Sequence, residues 1–441
     1  MKSALIISYW FPPDNLPGSY RAGKFVKYLN EFGWKPTVLT ARKSDASSRP
    51  FDTTLLDDMP PDTDIIRTLS IEPLRLIARL TKIGYKQPGL NDKTGRPTQQ
   101  LAGLSASAKK IAKKIYKTTI EKLFSIPDPY IGWVPSAVLR ARQIIEKEAP
   151  TVIFTSSPPL STHLVGFTLK KMFGIPWIAD FRDVWPAFFL QRKTIFDRIN
   201  DRTALSILRT ADKVVAVSEP MRQEFISRDP AASIGKYELI YNGFDPDDYK
   251  TIDPTDFDRF TILHTGEVFQ RDPSSILNAT KELVKDGLIG RDFQIIFLGT
   301  INRDFVGNRE LVGDFVKICD PVSHSQALSS MLGANLLLLL VGESKDHSIT
   351  IPAKLFEYMF ANKPILAISP DGPVSDLIKK AGLGFSYEYS QKDLIKERIL
   401  KLYLQWKKRT LENDRDEEVV RGFNRRFLTQ RLVDIFEEFV A

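Results

Sequence analysis

A chain of 441 residues exceeds the ~250–300 residues over which a single hydrophobic core keeps growing, so its length predicts two domains. Its 43% hydrophobic and 26% charged content is that of an ordinary soluble globular protein, and Cys319 as the lone cysteine excludes an internal disulfide framework and fits a reducing compartment. The formal charge of +8 leaves nucleic acid, an anionic membrane surface and phosphorylated small molecules as partner classes.

Four histidines without an HxxxH pair or a Cys/His cluster argue against a zinc site. The apolar run Ala4–Ile7 is too short for a signal-peptide core. The longest one, Leu336–Val341, is far below the ~20 residues that span a bilayer. A cytoplasmic protein without an integral membrane segment is therefore expected.

Ser3–Ser8 has the continuous apolar character of a central parallel strand. The loop Tyr9–Gly18 follows, with Pro12, Pro13 and Pro17, and then helical spacing over Tyr20–Phe32 ending at Gly33. With a second strand around Val38-Leu39 this makes a βαβ unit, whose first loop lies where doubly wound folds bind ligands. The loop lacks GxGxxG, so nothing argues for a dinucleotide. Gly18 and Arg21 can approach a phosphate; Gly18 also serves equally well as a turn residue.

Residues 41–135 are the least regular part of the first half. Within them, Leu101–Lys117 places Lys109, Lys110, Lys113, Lys114 and Lys117 on one helical arc. Leu101, Leu104, Ala108, Ile111, Ala112 and Ile115 fall on the opposite arc. Such a segment, extended to residues 101–124, suits an anionic membrane surface, as does the basic, apolar stretch Leu74–Tyr85. A surface helix packed on its own domain gives the same pattern.

From Ser136 strand and helix alternate, with helices at Ser136–Glu148, Leu160–Phe173, Ile195–Arg209 and Pro220–Arg228. Strands fall at Val152–Thr155, Trp177–Phe181, Lys213–Val217 and Leu239–Tyr241. This pattern predicts a parallel sheet covered on both faces. Ser156, in Thr155-Ser156-Ser157-Pro158-Pro159, closes one strand, and His163 lies in the helix after it. Asp180, Arg182 and Asp183 crowd the end of the next strand, either as a loop-stabilising ion pair or as substrate contacts. His163 reads either as a satisfied histidine or as a functional one. Asn242–Asp258, acidic and proline-bearing, reads as a linker.

A second series runs through strands at Thr261–His264, Phe293–Leu298, Val316–Cys319 and Leu336–Val341. Helices fall at Ser274–Lys285, Ser323–Leu332, Val374–Ala381, Asp393–Trp406 and Glu417–Val440. Thr265-Gly266-Glu267 ends the first of these strands. Arg271 precedes a helix start, where it either neutralises a phosphate or is simply solvated. In S-I-T-I-P-A-K-L-F-E-Y-M-F-A-N-K-P-I-L, Pro352 suits a first helical turn, and Lys354 and Glu357 share one helix face. That pair is either a surface ion pair or a seat for a diphosphate, with the carboxylate accepting from ribose hydroxyls. Two such halves predict an α/β protein whose ligand lies in a central cleft between two Rossmann-like domains. No Ser-His-Asp set, Walker loop or nucleic-acid motif is present.

The segments S-Y-W-F-P-P-D-N, P-G-S-Y-R-A-G-K, T-S-S-P-P, D-F-R-D-V-W-P, H-T-G-E and I-P-A-K-L-F-E-Y-M-F-A-N-K-P-I-L occur in an order that resembles the GT-B fold glycosyltransferases of family 4. The subgroup that builds bacterial surface polysaccharides is most similar. The resemblance implies an N-terminal acceptor domain over 1–245 and a C-terminal donor domain over 259–419, with helix 420–441 folding back on the first. It implies retaining, metal-independent transfer of a sugar from a nucleotide sugar to a glycan or lipid-linked acceptor, with no cofactor. On that resemblance Gly18, Gly266, Arg271, Lys354 and Glu357 hold the donor, and Ser156, His163, Arg182 and Asp183 are the candidate catalytic contacts. Cytoplasmic residence, peripheral on the inner face of the membrane, follows from the same reading.

Two positions depart from the family. Ile349 stands where a second glutamate is usual, and Ser156 stands where many members have a histidine. A nucleotide-sugar 2-epimerase using Asp180, Asp183 and His163 is one alternative. A catalytically silent membrane-surface scaffold is another.

Overall fold

The computed structural model describes residues 2–42, 51–74, 126–185, 194–268, 271–300, 313–343 and 349–440. The basic segment 101–124 and most of Leu74–Tyr85 lie outside these residues. The chain forms two compact units: Met1–Val217 with Met221–Ile240 and Thr429–Ala441, and Ser218–Pro220 with Tyr241–Leu428.

The first unit is built on seven parallel strands in the order β3-β2-β1-β4-β5-β6-β7. They are β1 (Lys2–Ser8), β2 (Trp34–Ala41), β3 (Asp64–Thr68), β4 (Val152–Ser157), β5 (Trp177–Phe181), β6 (Lys213–Ala216) and β7 (Tyr237–Leu239). The helices α1 (Pro17–Leu29), α2 (Val134–Glu148), α3 (Ser161–Phe173), α4 (Ile195–Thr210) and α5 (Glu219–Arg228) alternate with them. Ala4–Ser8 and all of β4 and β5 are buried, as continuous apolar strands must be when covered on both faces. Pro17 opens α1, where its missing N–H costs nothing. Gly174, at φ +72°, ends α3. Thr194 and Asp197 cap α4 reciprocally.

The final residues complete this unit. Phe436 packs its ring 5.1 Å from Trp34 and 6.1 Å from Phe154, and Trp34 Nε1 donates to Glu437 at 2.9 Å. Lys2 also pairs with Glu437.

The second unit repeats the plan with six parallel strands, β10-β9-β8-β11-β12-β13. These are β8 (Phe260–Thr265), β9 (Phe293–Leu298), β10 (Val316–Cys319), β11 (Leu336–Leu340), β12 (Ile365–Ile368) and β13 (Gly384–Tyr387). Its helices are α6 (Ser274–Lys285), α7 (His324–Gly333), α8 (Lys354–Ala361), α9 (Pro373–Lys380), α10 (Lys392–Lys407) and α11 (Glu417–Arg421); α12 (Arg425–Glu437) starts in this unit and from Thr429 belongs to the first. Along β11 the two-residue period sends Leu337 and Leu339 into one core and Leu336, Leu338 and Leu340 into the other. Each of these fully buried leucines is worth roughly 1.5–3 kcal/mol.

Both sheets reverse strand order beside their first strand, at β1/β4 and at β8/β11. The carboxyl ends at these points are where doubly wound sheets take ligands.

Three features differ from the sequence reading. The edge strands β3 and β13 are short and incompletely buried, so no continuous apolar run announces them. The terminal helix is two helices. It breaks at 422–424 because Phe423 and Asn424 leave the helix to bridge to Phe244, which donates its N–H to the Phe423 carbonyl at 3.1 Å.

Candidate functional site

In the second unit, β8 and β9 end in two glycines that pack backbone against backbone. Gly266 has φ +88° and Gly299 φ +142°, conformations that disfavour any side chain. A Cβ on Gly299 would lie 2.4 Å from the Gly266 carbonyl oxygen. The pairing continues past the strands, with Gly266 N–H donating to Leu298 at 2.8 Å and Gly299 N–H to Cys319 at 2.9 Å. The result is a bare backbone shelf at the carboxyl edge of the sheet.

Helix α8 supplies the side chains over this shelf. Lys354 is its first residue, and Nζ donates to the Thr265 carbonyl at 2.5 Å. A Cβ on Gly266 would come within 3.0 Å of Nζ, so the glycine makes room for the cation. Lys354 therefore turns to the strand end rather than to Glu357, which removes the surface ion-pair reading. Burial, reinforced by the nearby Arg271 guanidinium, pushes the Lys354 ammonium down to about 7, against the opposing pull of Glu357 and Glu267.

Arg271 is half-buried. Its Nη1 reaches the Glu267 carbonyl only at 3.5 Å, and its buried Nε has no partner. Burial also lowers the Arg271 pKa, with Tyr389, Glu267 and Tyr358 acting in the opposite sense. Two crowded cations with unused hydrogen-bonding capacity have the chemistry to receive an anion.

Glu357, one turn along α8, is half-buried. Burial raises its carboxyl pKa, while His324, Lys354 and Arg425 draw it down. Tyr358, which sequence reasoning passed over, fixes the strand end. Its hydroxyl accepts from Thr265 N–H at 3.0 Å and donates to the Leu338 carbonyl at 3.3 Å. It lies beside Glu357 and four residues after Lys354, so i,i+4 spacing was its available signal. His264 was missed as well. It is fully buried in β8, its Nδ1 lies 2.9 Å from the Leu338 carbonyl, and burial holds it neutral. Ile349 and Ile351 precede the helix, and Ile351 is buried in the core.

In the first unit the candidates separate into two groups. Asp180 is fully buried and paired with Arg21, whose Nη2 lies 2.7 Å from Oδ1 and whose Nε lies 3.0 Å from Oδ2. Ser156 Oγ donates to the same carboxylate at 2.7 Å, and Arg21 Nη2 also donates to the Ile240 carbonyl at 2.9 Å. Ser156 and Asp180 are thus held in a structural network that ties α1 to β4 and β5. His163 is fully buried, with Nδ1 2.8 Å from Thr155 Oγ1 and its ring 4.1 Å from Phe181. Burial pushes it down to about 3, so it is neutral.

Arg182 and Asp183 form the other group. Arg182 Nε donates to the Ser157 carbonyl at 2.7 Å and Nη2 to Pro158 at 2.6 Å, while Nη1 is buried without a partner. Its guanidinium lies directly on Gly18, at the start of α1. Burial lowers the Arg182 pKa to about 10. Asp183 is exposed. The structure brings Lys354, Gly266, Arg271 and Glu357 together in the second unit, and Gly18 with Arg182 in the first.

Comparison with known proteins agrees with this architecture. Residues 103–248 match the Glycosyltransferase Family 4 model. The chain is similar to a sucrose-phosphate synthase from Thermosynechococcus elongatus, at 14% identity and a TM-score of 0.63, covering 99% of each chain. It is also similar to Anabaena HepE, solved in complex with UDP-glucose, at 13% identity and a TM-score of 0.59, covering 99% of this chain and 100% of that one. The UDP-GlcNAc 2-epimerase of Methanocaldococcus jannaschii matches at 13% identity and a TM-score of 0.55, over 99% and 100% of the two chains. No curated protein sequence matches. The fold is that of the GT-B enzymes: α/β, with two parallel-sheet, Rossmann-like domains. The family match within that fold supports a glycosyltransferase.

Proposed function

We propose that this protein is a retaining, metal-independent glycosyltransferase that takes a sugar from a nucleotide sugar and passes it to a glycan or lipid-linked acceptor of a cell-surface polysaccharide. The observation that carries this reading is the Gly266–Gly299 shelf with Lys354 and Arg271 crowded over it. A nucleoside diphosphate is the leaving group of such a transfer, and two cations with spare donors supply the charge that stabilises its departure. Glu357 stands one helical turn away, where it accepts hydrogen bonds from ribose hydroxyls. HepE's complex with UDP-glucose supports a nucleotide-sugar donor for this fold.

The epimerase alternative loses two of its three residues: Asp180 is committed to Arg21 and Ser156, and His163 is sealed in the core, which leaves Asp183 alone exposed. Among the described residues no helix is long and apolar enough to cross a membrane. Peripheral attachment through residues 101–124 on the inner face of the membrane remains part of the proposal, on the strength of their basic amphipathic pattern.

The test is incubation with UDP-, GDP-, ADP- and dTDP-sugars in the presence of EDTA and a bacterial glycolipid extract, with the product anomer read by NMR. The reading predicts nucleoside diphosphate release from one donor class, retained configuration, and loss of release in Glu357→Ala. No release from any donor, or an inverted product, overturns it.

A further inference from the structure

The amino edge of the second sheet, opposite the one that carries Lys354, holds a pocket that the donor reading does not use. Three turns of the second unit build it: Asn335 ahead of β11, residues 362–364 ahead of β12, and residues 406–413 at the end of α10. Its volume is about 320 Å³, within the range of small-ligand sites. β11 is five residues long, so roughly 17 Å of strand separates this pocket from the carboxyl edge.

The fold holds the walls in place. Asn335 N–H donates to the Thr261 carbonyl at 3.1 Å and its Oδ1 accepts from Thr261 N–H at 2.8 Å, which leaves Nδ2 as its unused donor. Trp406 is half-buried, with its ring centre 5.8 Å from that of Phe260 and 6.0 Å from that of Tyr403, so core contacts fix the indole. Asn413 closes one side by donating to Asn362 Oδ1 at 3.2 Å. Arg409 is kept at φ +57°, a left-handed conformation that costs any residue with a side chain. Lys363 is half-buried, and burial lowers its pKa with no carboxylate acting against it. Among the described residues, Lys363, Arg409 and Glu412 make no ion pair.

The lining therefore sets unused donors and an unused acceptor around an aromatic side chain. Lys363, Arg409 and the Asn335 amide nitrogen donate, and the Glu412 carboxylate accepts. A phosphate or carboxylate ligand accepts only, and Glu412 repels it. A neutral sugar suits both kinds of group: its hydroxyls donate as well as accept, and the C–H face of a pyranose ring covers an indole. We infer that this pocket is a saccharide-binding site separate from the donor seat, and that it holds glycan already assembled while transfer proceeds at the other edge. The holding role rests on the glycosyltransferase reading; saccharide binding itself does not. Holding the chain raises its effective concentration at the enzyme.

Binding of the full-length protein to an array of bacterial surface glycans tests this, followed by calorimetry with the strongest binder and with UMP. Wild type is expected to bind a neutral glycan, and Trp406→Ala to bind it about tenfold more weakly or not at all. Trp406 also packs on the core, so Arg409→Gly and Glu412→Ala are the second variants. Neither side chain has a protein partner and glycine accepts φ +57°, so Tm is unchanged or raised while the glycan binds about tenfold more weakly. Lys354→Ala is expected to leave glycan binding intact. In the transfer assay, Glu412→Ala is expected to raise KM for the glycolipid extract and leave kcat alone. A silent array, or binding indifferent to all three pocket variants, overturns the site. UMP bound in place of the glycan, and lost in Trp406→Ala, overturns the saccharide assignment. Glycan binding lost in Lys354→Ala puts the sugar in the donor seat and overturns the separate pocket. An unchanged KM overturns the holding role. Failure of every nucleotide to bind, with Trp406-dependent glycan binding intact, counts against the donor reading and leaves the pocket standing.

Discussion

Lys354 and Arg21 are both cations in crowded surroundings, and they do opposite things. Arg21 has a carboxylate in bidentate contact, so it stabilises the fold. Replacing it by alanine leaves Asp180 buried without its counter-charge and is expected to cost about 3–5 kcal/mol, read as a lowered midpoint in urea. Among the described residues Lys354 has a carbonyl as its hydrogen-bond partner, and its ammonium is pushed down to about 7. Its folded pKa lies below the unfolded value, so holding its proton works against folding, and stability gains as pH rises from about 7 towards the unfolded pKa. Binding of a diphosphate favours the proton and moves in the other direction. Affinity for a nucleoside diphosphate is therefore expected to fall by up to tenfold per unit as pH climbs above about 7, with proton uptake on binding. In Lys354→Met that fall disappears and the remaining affinity is lower by about 10–100-fold, in calorimetry across buffers of different ionisation enthalpy. The sequence shows Lys354 and Glu357 sharing a helix face. It does not show that Lys354 turns to Thr265, because that depends on a strand end 89 residues earlier in the chain.

At the scale of the element, the strands that pack on both faces were legible because burial writes itself as unbroken apolar runs. Trp177–Phe181 and Phe293–Leu298 begin and end where the pattern places them, and Thr194 and Ser323 cap their helices with the residue types that caps require. The edges β3 and β13 carry weaker patterns, since an edge strand buries little. The Gly266–Gly299 contact was invisible for a different reason. Each glycine reads as an ordinary strand terminator, and only the parallel pairing of β8 with β9 sets one backbone against the other. Gly299→Ala is expected to part these two loops, combining a left-handed φ with a 2.4 Å clash. The measurement is nucleoside diphosphate affinity alongside Tm: both fall in Gly299→Ala, whereas alanine at the exposed, open Gly287 lowers Tm without touching affinity.

At the scale of the molecule, the chain repeats one plan twice. The alternation of strand and helix made two Rossmann-like sheets readable, while their strand orders followed from topology. The last residues serve the first unit: Leu432, Val433 and Phe436 are buried, and Phe436 covers Trp34 and Phe154. Deleting residues 429–441 exposes Trp34 and removes the acceptor for its indole N–H. Limited proteolysis of that deletion is expected to cut the first unit, with the second surviving longer; equal resistance contradicts the assignment of this helix to the first unit's core.

The central claim is that the carboxyl edge of the second sheet seats a nucleoside diphosphate through Lys354, Arg271 and Glu357. Calorimetry of wild type, Lys354→Ala, Arg271→Ala and Glu357→Ala with UDP, GDP, ADP and dTDP measures this directly. The account predicts binding of one base class by wild type and a loss of about tenfold or more in each variant, with the folds intact. Binding that is unchanged in all three variants, or no binding of any of the four nucleotides, contradicts it.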